Sequence, residues 1–313
     1  MGRTRMTFAN REAWLEARKQ GIGASDVGTI LGVNPYETPL QLWRKKMGID
    51  APTAENNAML MGHLLEDAVA QRWALETGKS IIANSKDDFM FVDADKSYLR
   101  VSPDRTYWLD NTSKNDDNKG ILECKTTQRD IDADTIPQSW FCQVQMNLGV
   151  ANYQHGSLAW LKMGRDFGYR DIEFDPEFFA WMVEEVDKFW VDNIMGKKAP
   201  DPINVTDILV TYPSHVSDKS KEADEYLVSL CGQLKEIKSQ IKDLEQSQKD
   251  LEDAIKFNME DAEKLMYKGS VLATWKSPKP SAKFNLQRFK EEEKALYNSY
   301  LQECEGARRF LIK

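Results

Sequence analysis

The sequence predicts a mixed α/β core followed by a long, coiled-coil-like helix with a small α+β end. Three observations lead to this fold class. Apolar residues recur at helical spacing within residues 11–77 and 136–196. Residues 80–126 instead carry short apolar or alternating runs between Asp, Asn, Ser and Gly clusters, which is typical of strands. A heptad pattern then begins after residue 205.

The N-terminal elements are predicted to be helices. REAWLEAR (11–18) forms a short helix, and Ser25 is expected to cap the next one, SDVGTILG. PLQLWRKKMG (39–48) gives a third helix, and residues 58–77 give a long amphipathic helix that ends at Gly78.

A small mixed sheet is expected next. Strands are predicted around 80–83, 89–92 and 98–101, and TYWL and GILECKT pair as a hairpin across the turn at 111–120. The remaining elements of this part are predicted to be the helix IPQSWFCQVQMNLGV, the strand HGSLAWLK and the helix in FDPEFFAWMVEEVDKFWVDNIMGKK.

Two prolines in APDPINVTD indicate a boundary that divides the chain into residues 1–204 and 205–313. The second part carries six heptads from Leu227 to Leu265, interrupted by the polar residues Gln248 and Asn258. A coiled-coil helix over about 220–266 is predicted, and a helix packed on its own domain is the alternative. A hairpin (MYKGSVLATWK), a charged helix (284–303) and a terminal strand (ARRFLIK) are expected to follow. We expect 205–313 to mediate assembly or partner docking and 1–204 to carry the chemistry.

Composition excludes several classes of protein. With 41% hydrophobic residues and 9 Trp, 13 Phe and 10 Tyr, the chain is expected to fold around a sizeable core. No apolar run is long enough to cross a bilayer, and no secretory signal is visible at the start. The four cysteines form no CxxC pair and the three histidines are far apart, which argues against a disulfide scaffold or a zinc site.

The net charge of −8 limits how the chain can handle nucleic acid. Residues 1–204 carry 24 basic and 31 acidic side chains, and residues 205–313 carry 18 and 19. General attraction to a phosphate backbone is therefore excluded. DNA binding would need a local site in which a metal ion offsets clustered carboxylates.

Such a site is predicted around SPD (102–104) and ECK (123–125). Glu123 and Lys125 are two residues apart in a strand and therefore point to the same face, and the predicted hairpin brings Asp104 beside them. Two carboxylates suit Mg²⁺ or Mn²⁺, with the backbone carbonyl of Cys124 as a further ligand. A surface ion pair is the alternative for an isolated E-x-K.

Other polar residues are predicted to join this site. Glu66 on the long helix can supply a carboxylate, although a solvated helix face is its alternative interpretation. Gln143 and Gln145 in QVQ are expected to lie over the site. Arg18, followed by Ser25 at a helix start, suits a phosphate group.

Taken in order, these motifs resemble those of the YqaJ-like viral recombinase family: R-x6-S, G-x3-E, SPD, E-x-K and Q-V-Q. That family is related to phage lambda exonuclease within the PD-(D/E)xK nuclease superfamily. The resemblance covers roughly residues 10–165, and the ending RRFLIK is also similar to longer members. One departure is Arg105, which stands where the family often has glycine after SPD. An arginine there is expected to alter the turn or add a cation near DNA.

The resemblance implies a role for each site residue. Asp104 and Glu123 would bind the catalytic metal, Glu66 a second ion or its water, Lys125 would activate the water and Gln143 would position it. Arg18, Ser25 and Ser102 would hold a 5′-terminal phosphate. The implied cofactor is Mg²⁺, for which Mn²⁺ can substitute.

The resemblance also implies an activity and its partners. The leading hypothesis is an exonuclease that digests one strand of duplex DNA from a 5′ end and leaves a 3′ single-stranded tail. Its partners would be double-stranded DNA ends, a single-strand annealing recombinase and further copies of itself, without a membrane, in the cytoplasm of a bacterial host of a phage or prophage. The alternatives are an endonuclease or repair nuclease with the same core, and a non-catalytic coiled-coil DNA-processing adaptor.

Overall fold

The computed structural model describes residues 2–51, 56–82, 89–110, 112–303, 306 and 308–313. The chain divides into two compact units, Met1–Thr211 and Tyr212–Lys313. Among the described residues, no helix is long and apolar enough to span a membrane.

Seven α-helices in the described part of unit one cover nearly all of the predicted helical segments. Capping residues account for several of their ends. At the start of one helix, the Thr38 hydroxyl accepts from the backbone N–H of Gln41, and Gly78 ends the long helix with a left-handed φ of 69°. The helices are α1 (Arg11–Lys19), α2 (Ala24–Ile30), α3 (Pro39–Lys46), α4 (Asn57–Thr77), α5 (Gln138–Ala151), α6 (Pro176–Lys188) and α7 (Val205–Thr211). A π-helical segment, Phe189–Met195, continues α6.

Two small sheets lie between these helices. The first has the order β1-β4-β5-β2 and the second the order β3-β6-β7-β8-β9. The pairs β2–β5 and β7–β8 are parallel and the others are antiparallel. The strands are β1 (Arg3–Thr7), β2 (Ile22–Gly23), β3 (Ser80–Ile82), β4 (Phe89–Asp93), β5 (Leu99–Val101), β6 (Arg105–Trp108), β7 (Lys119–Thr127), β8 (His155–Lys162) and β9 (Asp166–Glu173).

The predicted hairpin is confirmed, and it forms the centre of the second sheet. β6 pairs with β7 so that Arg105 lies opposite Leu122, which places the preceding residue, Asp104, beside Glu123. Alternate β7 residues enter two different cores. Ile121 belongs to the core that contains α5, whereas Leu122 packs with α4. Because side chains alternate along a strand, Glu123 faces the same side as Ile121, towards α5.

Unit two is built on a 35-residue helix, α8 (Glu225–Met259), which is capped by Asp224. It is followed by the hairpin of β10 (Lys264–Tyr267) and β11 (Ser270–Thr274), and by the short helices α9 (Leu286–Glu292) and α10 (Lys294–Ser299). The α8 seam comprises Leu227, Leu230, Leu234, Ile237, Ile241, Leu244, Gln248, Leu251, Ile255 and Asn258.

Several sequence predictions require correction. The helix ends at Met259, so the last predicted heptad, with Ala262 and Leu265 at its apolar positions, lies outside the helix, and Leu265 is in β10. The charged helix over 284–303 is two short helices in its described part. ARRFLIK forms no strand in its described residues 308–313, and Ala307 lies outside the described residues. The strands β1 and β9 were not predicted.

The mixed α/β character of the chain and its long C-terminal helix are confirmed. Membership of the PD-(D/E)xK superfamily and pairing of α8 as a coiled coil stay predictions. So does the assignment of chemistry to residues 1–204 and of assembly to residues 205–313.

Candidate active site

A cleft of about 620 Å³ in unit one is lined by α1, α2, α4, α5, β7 and the chain around β5. All of the predicted site residues except Arg105 and Gln145 line this cleft: Arg18, Ser25, Glu66, Ser102, Asp104, Glu123, Cys124, Lys125 and Gln143. The structure therefore brings the predicted residues together, while their roles stay predictions.

The centre of the cleft is an ion pair held by an amide. Lys125 Nζ lies 2.7 Å from Glu123 Oε1 and donates to Gln143 Oε1 at 2.9 Å. The Gln143 amide nitrogen in turn donates to Glu123 Oε1. Glu123 is only 1% exposed, so its charge depends on these partners, because an uncompensated buried carboxylate is costly.

Asn147 completes this network and was not predicted. Its side-chain nitrogen donates to Glu123 Oε2 at 3.1 Å, so both carboxylate oxygens are held from α5. Gln143 and Asn147 are four residues apart and share a helix face, a spacing that the sequence already displayed. Gln145 points elsewhere: it donates to the Glu173 carbonyl and accepts from Asp175 N, which corrects its predicted place over the site.

Asp104 lies next to Glu123 and is 6% exposed. Its Oδ2 accepts from the backbone N–H of Cys124 at 2.8 Å, so the β7 backbone fixes this carboxylate. Burial raises the pKa of the Cys124 thiol well above its ordinary value, and Asp104, Glu123 and Glu66 raise it further. The thiol therefore stays protonated and is unsuited to act as a nucleophile or metal ligand.

Glu66 reaches the site from α4 and is paired with Arg105. Arg105 Nη1 lies 2.7 Å from Glu66 Oε1 and 2.6 Å from the Asp104 carbonyl, and Arg105 Nη2 lies 3.5 Å from Asp67 Oδ1. Burial alone would lower the pKa of Arg105, but the hydrogen bond to Glu66 and the nearby groups Glu66, Cys124 and Asp104 together outweigh burial and raise it. Arg105 thus neutralises a site carboxylate, which differs from the expectation of a cation directed at DNA.

The donor set of the cleft fits Mg²⁺. The carboxylates of Asp104, Glu123 and Glu66 and the carbonyl of Cys124 are hard oxygen donors, and Mg²⁺ commonly binds through one or two carboxylates while keeping several waters. Within the part of the chain that the structure describes, no group of three or more His, Cys, Asp or Glu side chains is arranged to hold a metal ion. The side chains fit an ion bound mainly through one or two carboxylates.

Another part of the cleft lining carries a cation, Arg18. Arg18 Nη2 donates to Ser25 Oγ at 2.5 Å, which joins α1 to α2. Ser25 is not the helix cap: Gly23 takes that position, and Asp26 accepts from its N–H. Burial would raise the pKa of Asp26, but Lys46 at 2.7 Å and then Arg18 outweigh burial and lower it.

Ser102 is tied into the cleft wall. Trp14 Nε1 donates to its hydroxyl at 3.1 Å, and the hydroxyl donates to the Phe89 carbonyl at 3.1 Å. The lining also includes three residues with basic side chains that were not predicted: Arg11, His63 and Arg100. Arg11 lies seven residues before Arg18, on the face of α1 that carries Trp14, so helical spacing was the signal for it.

Comparison with known proteins places the chain in a family. Residues 13–154 match the YqaJ-like viral recombinase domain. The chain is 31% identical to YqaJ of Bacillus subtilis (strain 168) over 331 positions, which cover 97% of this chain and 94% of that relative.

Two solved structures show a more distant likeness. The alkaline exonuclease LHK-Exo from Laribacter hongkongensis, in complex with dAMP, is 17% identical, with a TM-score of 0.45 over 58% of this chain and 91% of that one. A phage-related exonuclease from Haemophilus somnus 129PT is 11% identical, with a TM-score of 0.40 over 57% of this chain and 96% of that one. Neither structural likeness is strong enough to support an argument. The match to YqaJ, which extends along nearly the full length of the chain, is strong enough to assign the family. On that match, the chain belongs to the YqaJ-like viral recombinase family.

Proposed function

We propose that this protein is a metal-dependent deoxyribonuclease that degrades one strand of linear duplex DNA from its 5′ end. The product is a 3′ single-stranded tail, which a single-strand annealing recombinase takes up. Family membership and the composition of the cleft support this proposal. The observation that carries it is the Glu123–Lys125–Gln143 network beside Asp104, because it combines acidic ligands with a fixed ammonium group.

Lys125 has the strongest case for a direct chemical role. Its ammonium group donates to both Glu123 and Gln143, so it is held in a fixed orientation in the cleft wall. From that position it can orient a water molecule towards a phosphorus atom and stabilise negative charge as the water oxygen bonds to phosphorus. Asn147 and Gln143 act by fixing the Glu123 carboxylate.

Asp104 and Glu123, with the Cys124 carbonyl, would hold Mg²⁺, and Glu66 would hold a second ion or its water. When bound, Mg²⁺ would offset the carboxylate charge and polarise the phosphate under attack. This local compensation addresses the net charge of −8, which gives the protein no general attraction for DNA.

The Arg18–Ser25 pair supports recognition of a 5′ end. A guanidinium beside a hydroxyl suits the non-bridging oxygens of a terminal phosphate. Repeated action from such an end requires each cut to break the bond between phosphorus and the 3′ oxygen. The remaining strand then again begins with a 5′ phosphate, and a 5′ mononucleotide leaves.

Two other functions are the alternatives. An endonuclease or repair nuclease would use the same carboxylates and lysine, and only the Arg18–Ser25 pair favours an end-directed enzyme over it. A non-catalytic adaptor would have little use for a glutamate that is 1% exposed and held by three side chains from two elements.

One experiment separates the three functions. Purified full-length protein is incubated with linear duplex and with covalently closed circular duplex, with Mg²⁺ and with EDTA. The proposal expects mononucleotides from linear DNA in Mg²⁺ only, while circular DNA stays intact. Cleavage of the circle indicates the endonuclease, and binding without any product indicates the adaptor. Glu123→Ala serves as the control for a contaminating nuclease.

A further inference from the structure

The α8 seam is an unusual surface in this chain. Among its members, Ile241 is 49% exposed, Leu244 is 69% exposed and Leu251 is 67% exposed. The helix is 35 residues long and its seam repeats at heptad spacing. Contiguous apolar surface of this kind marks an interaction site. The charged residues of α8 indicate which partner binds the seam.

Charge is distributed unevenly along α8. Residues 225–242 carry three lysines and two acids, whereas residues 243–259 carry two lysines and five acids. The first half is therefore net positive and the second half net negative. Two such helices attract each other when they run in opposite directions and repel at their acidic ends when they run in parallel.

We propose that α8 pairs with α8 of a second copy of this chain as an antiparallel coiled coil. The register places Ile241 of one copy against Leu244 of the other. The same register sets Leu234 against Leu251 of the second copy and Leu230 against Ile255, so six of the ten seam positions of each helix meet an apolar partner. Ten seam positions from each helix then become buried.

The residues that flank the seam select this orientation. One side of the seam is flanked by the residues that directly follow Leu230, Ile237, Leu244 and Leu251. These residues are Cys231, Lys238, Glu245 and Glu252. In the antiparallel register, Lys238 lies beside Glu245 of the second copy, and symmetry repeats that pair. On the other side, Gln233, Gln240 and Ser247 are uncharged. A parallel pair would set those uncharged residues against the charged ones and form no opposite-charge pair.

The two polar seam residues tolerate this arrangement. Gln248 would face Ile237 of the second copy, and Asn258 would face Leu227. Their amide nitrogens already donate within their own helix, Gln248 to Glu252 Oε1 at 2.9 Å and Asn258 to the Ala254 carbonyl at 2.8 Å. An apolar neighbour therefore leaves neither amide nitrogen without an acceptor.

Charge reversal on the full-length protein tests the pairing and its direction. The variants are Lys238→Glu, Glu245→Lys and the double exchange, with Lys242→Glu as a matched control on the outer face of α8. Sedimentation equilibrium gives the dissociation constant of each, and circular dichroism confirms equal helix content. All three substituted positions are exposed, so the fold is expected to persist.

The expected result is a wild-type dimer whose dissociation constant rises about tenfold in each single reversal, since two attractive pairs become repulsive. The double exchange should restore the wild-type value, and Lys242→Glu should leave it nearly unchanged. A monomer at every concentration would overturn the proposal, as would a mass that no reversal alters. A double variant no tighter than the singles would overturn the antiparallel direction. None of these outcomes depends on whether the protein cleaves DNA.

Discussion

The cleft and the α8 seam arrange polar and apolar groups in opposite ways. In the cleft, Glu123 and Asp104 are charged groups at 1% and 6% exposure, enclosed by hydrogen-bond donors of their own unit. On α8, the leucines and isoleucines are exposed, apart from the half-buried Leu234. Buried charge and exposed apolar surface are both unfavourable for an isolated unit. Each therefore indicates a function outside the fold itself: a ligand for the cleft and a partner helix for the seam.

The two regions also differ in how they are held. The cleft uses long-range contacts, since Glu123 bonds to residues 20 and 24 positions later in the chain. In the described part of the chain, the hydrogen bonds and ion pairs of α8 are local, as in the pairs of Lys256 with Glu252 and Asp253. Substitutions in one region should therefore leave the other unchanged, and this separation can be measured.

The largest expected effect is the loss of cleavage in the cleft variants. Glu123→Ala should abolish Mg²⁺-dependent hydrolysis of linear duplex, because it removes a proposed ligand and leaves Lys125 without its counter-charge. Lys125→Ala should slow hydrolysis by about 10² to 10³, the usual cost of removing one group that stabilises charge in the transition state. Single-turnover rates on 5′-labelled duplex measure both.

The control for Lys125 is Lys162→Ala. Lys162 lies on the neighbouring strand β8 and is paired with Asp130. Its rate should stay within about twofold of wild type. The dissociation constant of the dimer should be the same in all three variants. A cleft substitution that changed the dimer would contradict the separation of the two regions, and near-normal turnover in Glu123→Ala would contradict the site.

A smaller effect is expected where Arg18 lines the cleft. Arg18→Ala should reduce the preference for 5′-phosphorylated over 5′-hydroxyl duplex by about tenfold, since a charge-assisted hydrogen bond to phosphate is lost. Initial rates on the two substrates give this ratio. Lys19→Ala is the matched control, because Lys19 is adjacent and pairs with Glu16. An unchanged preference in Arg18→Ala would place the phosphate site elsewhere.

The sequence predicted the positions of site residues best where the periodicity of a single strand or helix determines which face a side chain occupies. Spacing by two in β7 correctly placed Glu123 and Lys125 on one face, and the turn at 111–120 correctly placed Asp104 beside them. Helical spacing of four would also have identified Asn147, but the expectation followed the QVQ pattern and included Gln145 instead. In a helix, residues two apart face different sides, and the structure shows this outcome.

Contacts between distant elements could not be predicted from the sequence. Nothing in the pattern around Arg105 indicates that it lies on Glu66, 39 residues earlier, because that contact depends on how α4 packs on β7. β1 is a short strand of exposed and half-buried residues that pairs with β4 across the chain, so it has no clear apolar signal. The heptad pattern predicted that the long helix would continue past Met259. The helix ends at that residue, and the chain then forms β10.

Arg105 permits a further test of how the cleft accommodates cations. Arg105→Met keeps an unbranched apolar stem and removes the charge, so Glu66 and Asp104 should attract Mg²⁺ more strongly. The affinity for Mg²⁺ is expected to increase on the order of fivefold. Isothermal titration with Mg²⁺ in the absence of DNA measures it independently of activity. The control is Arg72→Met, which removes an equivalent arginine–glutamate pair from the exposed face of α4. Equal affinity in Arg105→Met and wild type would mean that Arg105 does not compete with the ion.

The smallest expected effect concerns the boundary between the two regions. The sequence predicted it between residues 204 and 205, whereas the first compact unit extends through Thr211 and includes α7. Asp207 on α7 is 0% exposed, accepts from the Thr38 hydroxyl at 2.9 Å and accepts from Ile203 N at 3.1 Å. A fragment that ends at residue 204 therefore leaves these two donors without their acceptor, which costs about 1 to 3 kcal/mol of unfolding free energy.

A fragment of residues 1–211 should melt about 5 °C higher than a fragment of residues 1–204, as that cost implies for a unit of this size. Differential scanning calorimetry compares the two fragments, and Asp207→Ala in the longer one should lower its melting temperature towards that of the shorter. Both fragments should be monomeric, because α8 is absent from them. Equal melting temperatures would show that α7 adds nothing to the stability of unit one, and the boundary predicted from the two prolines would then be the better one.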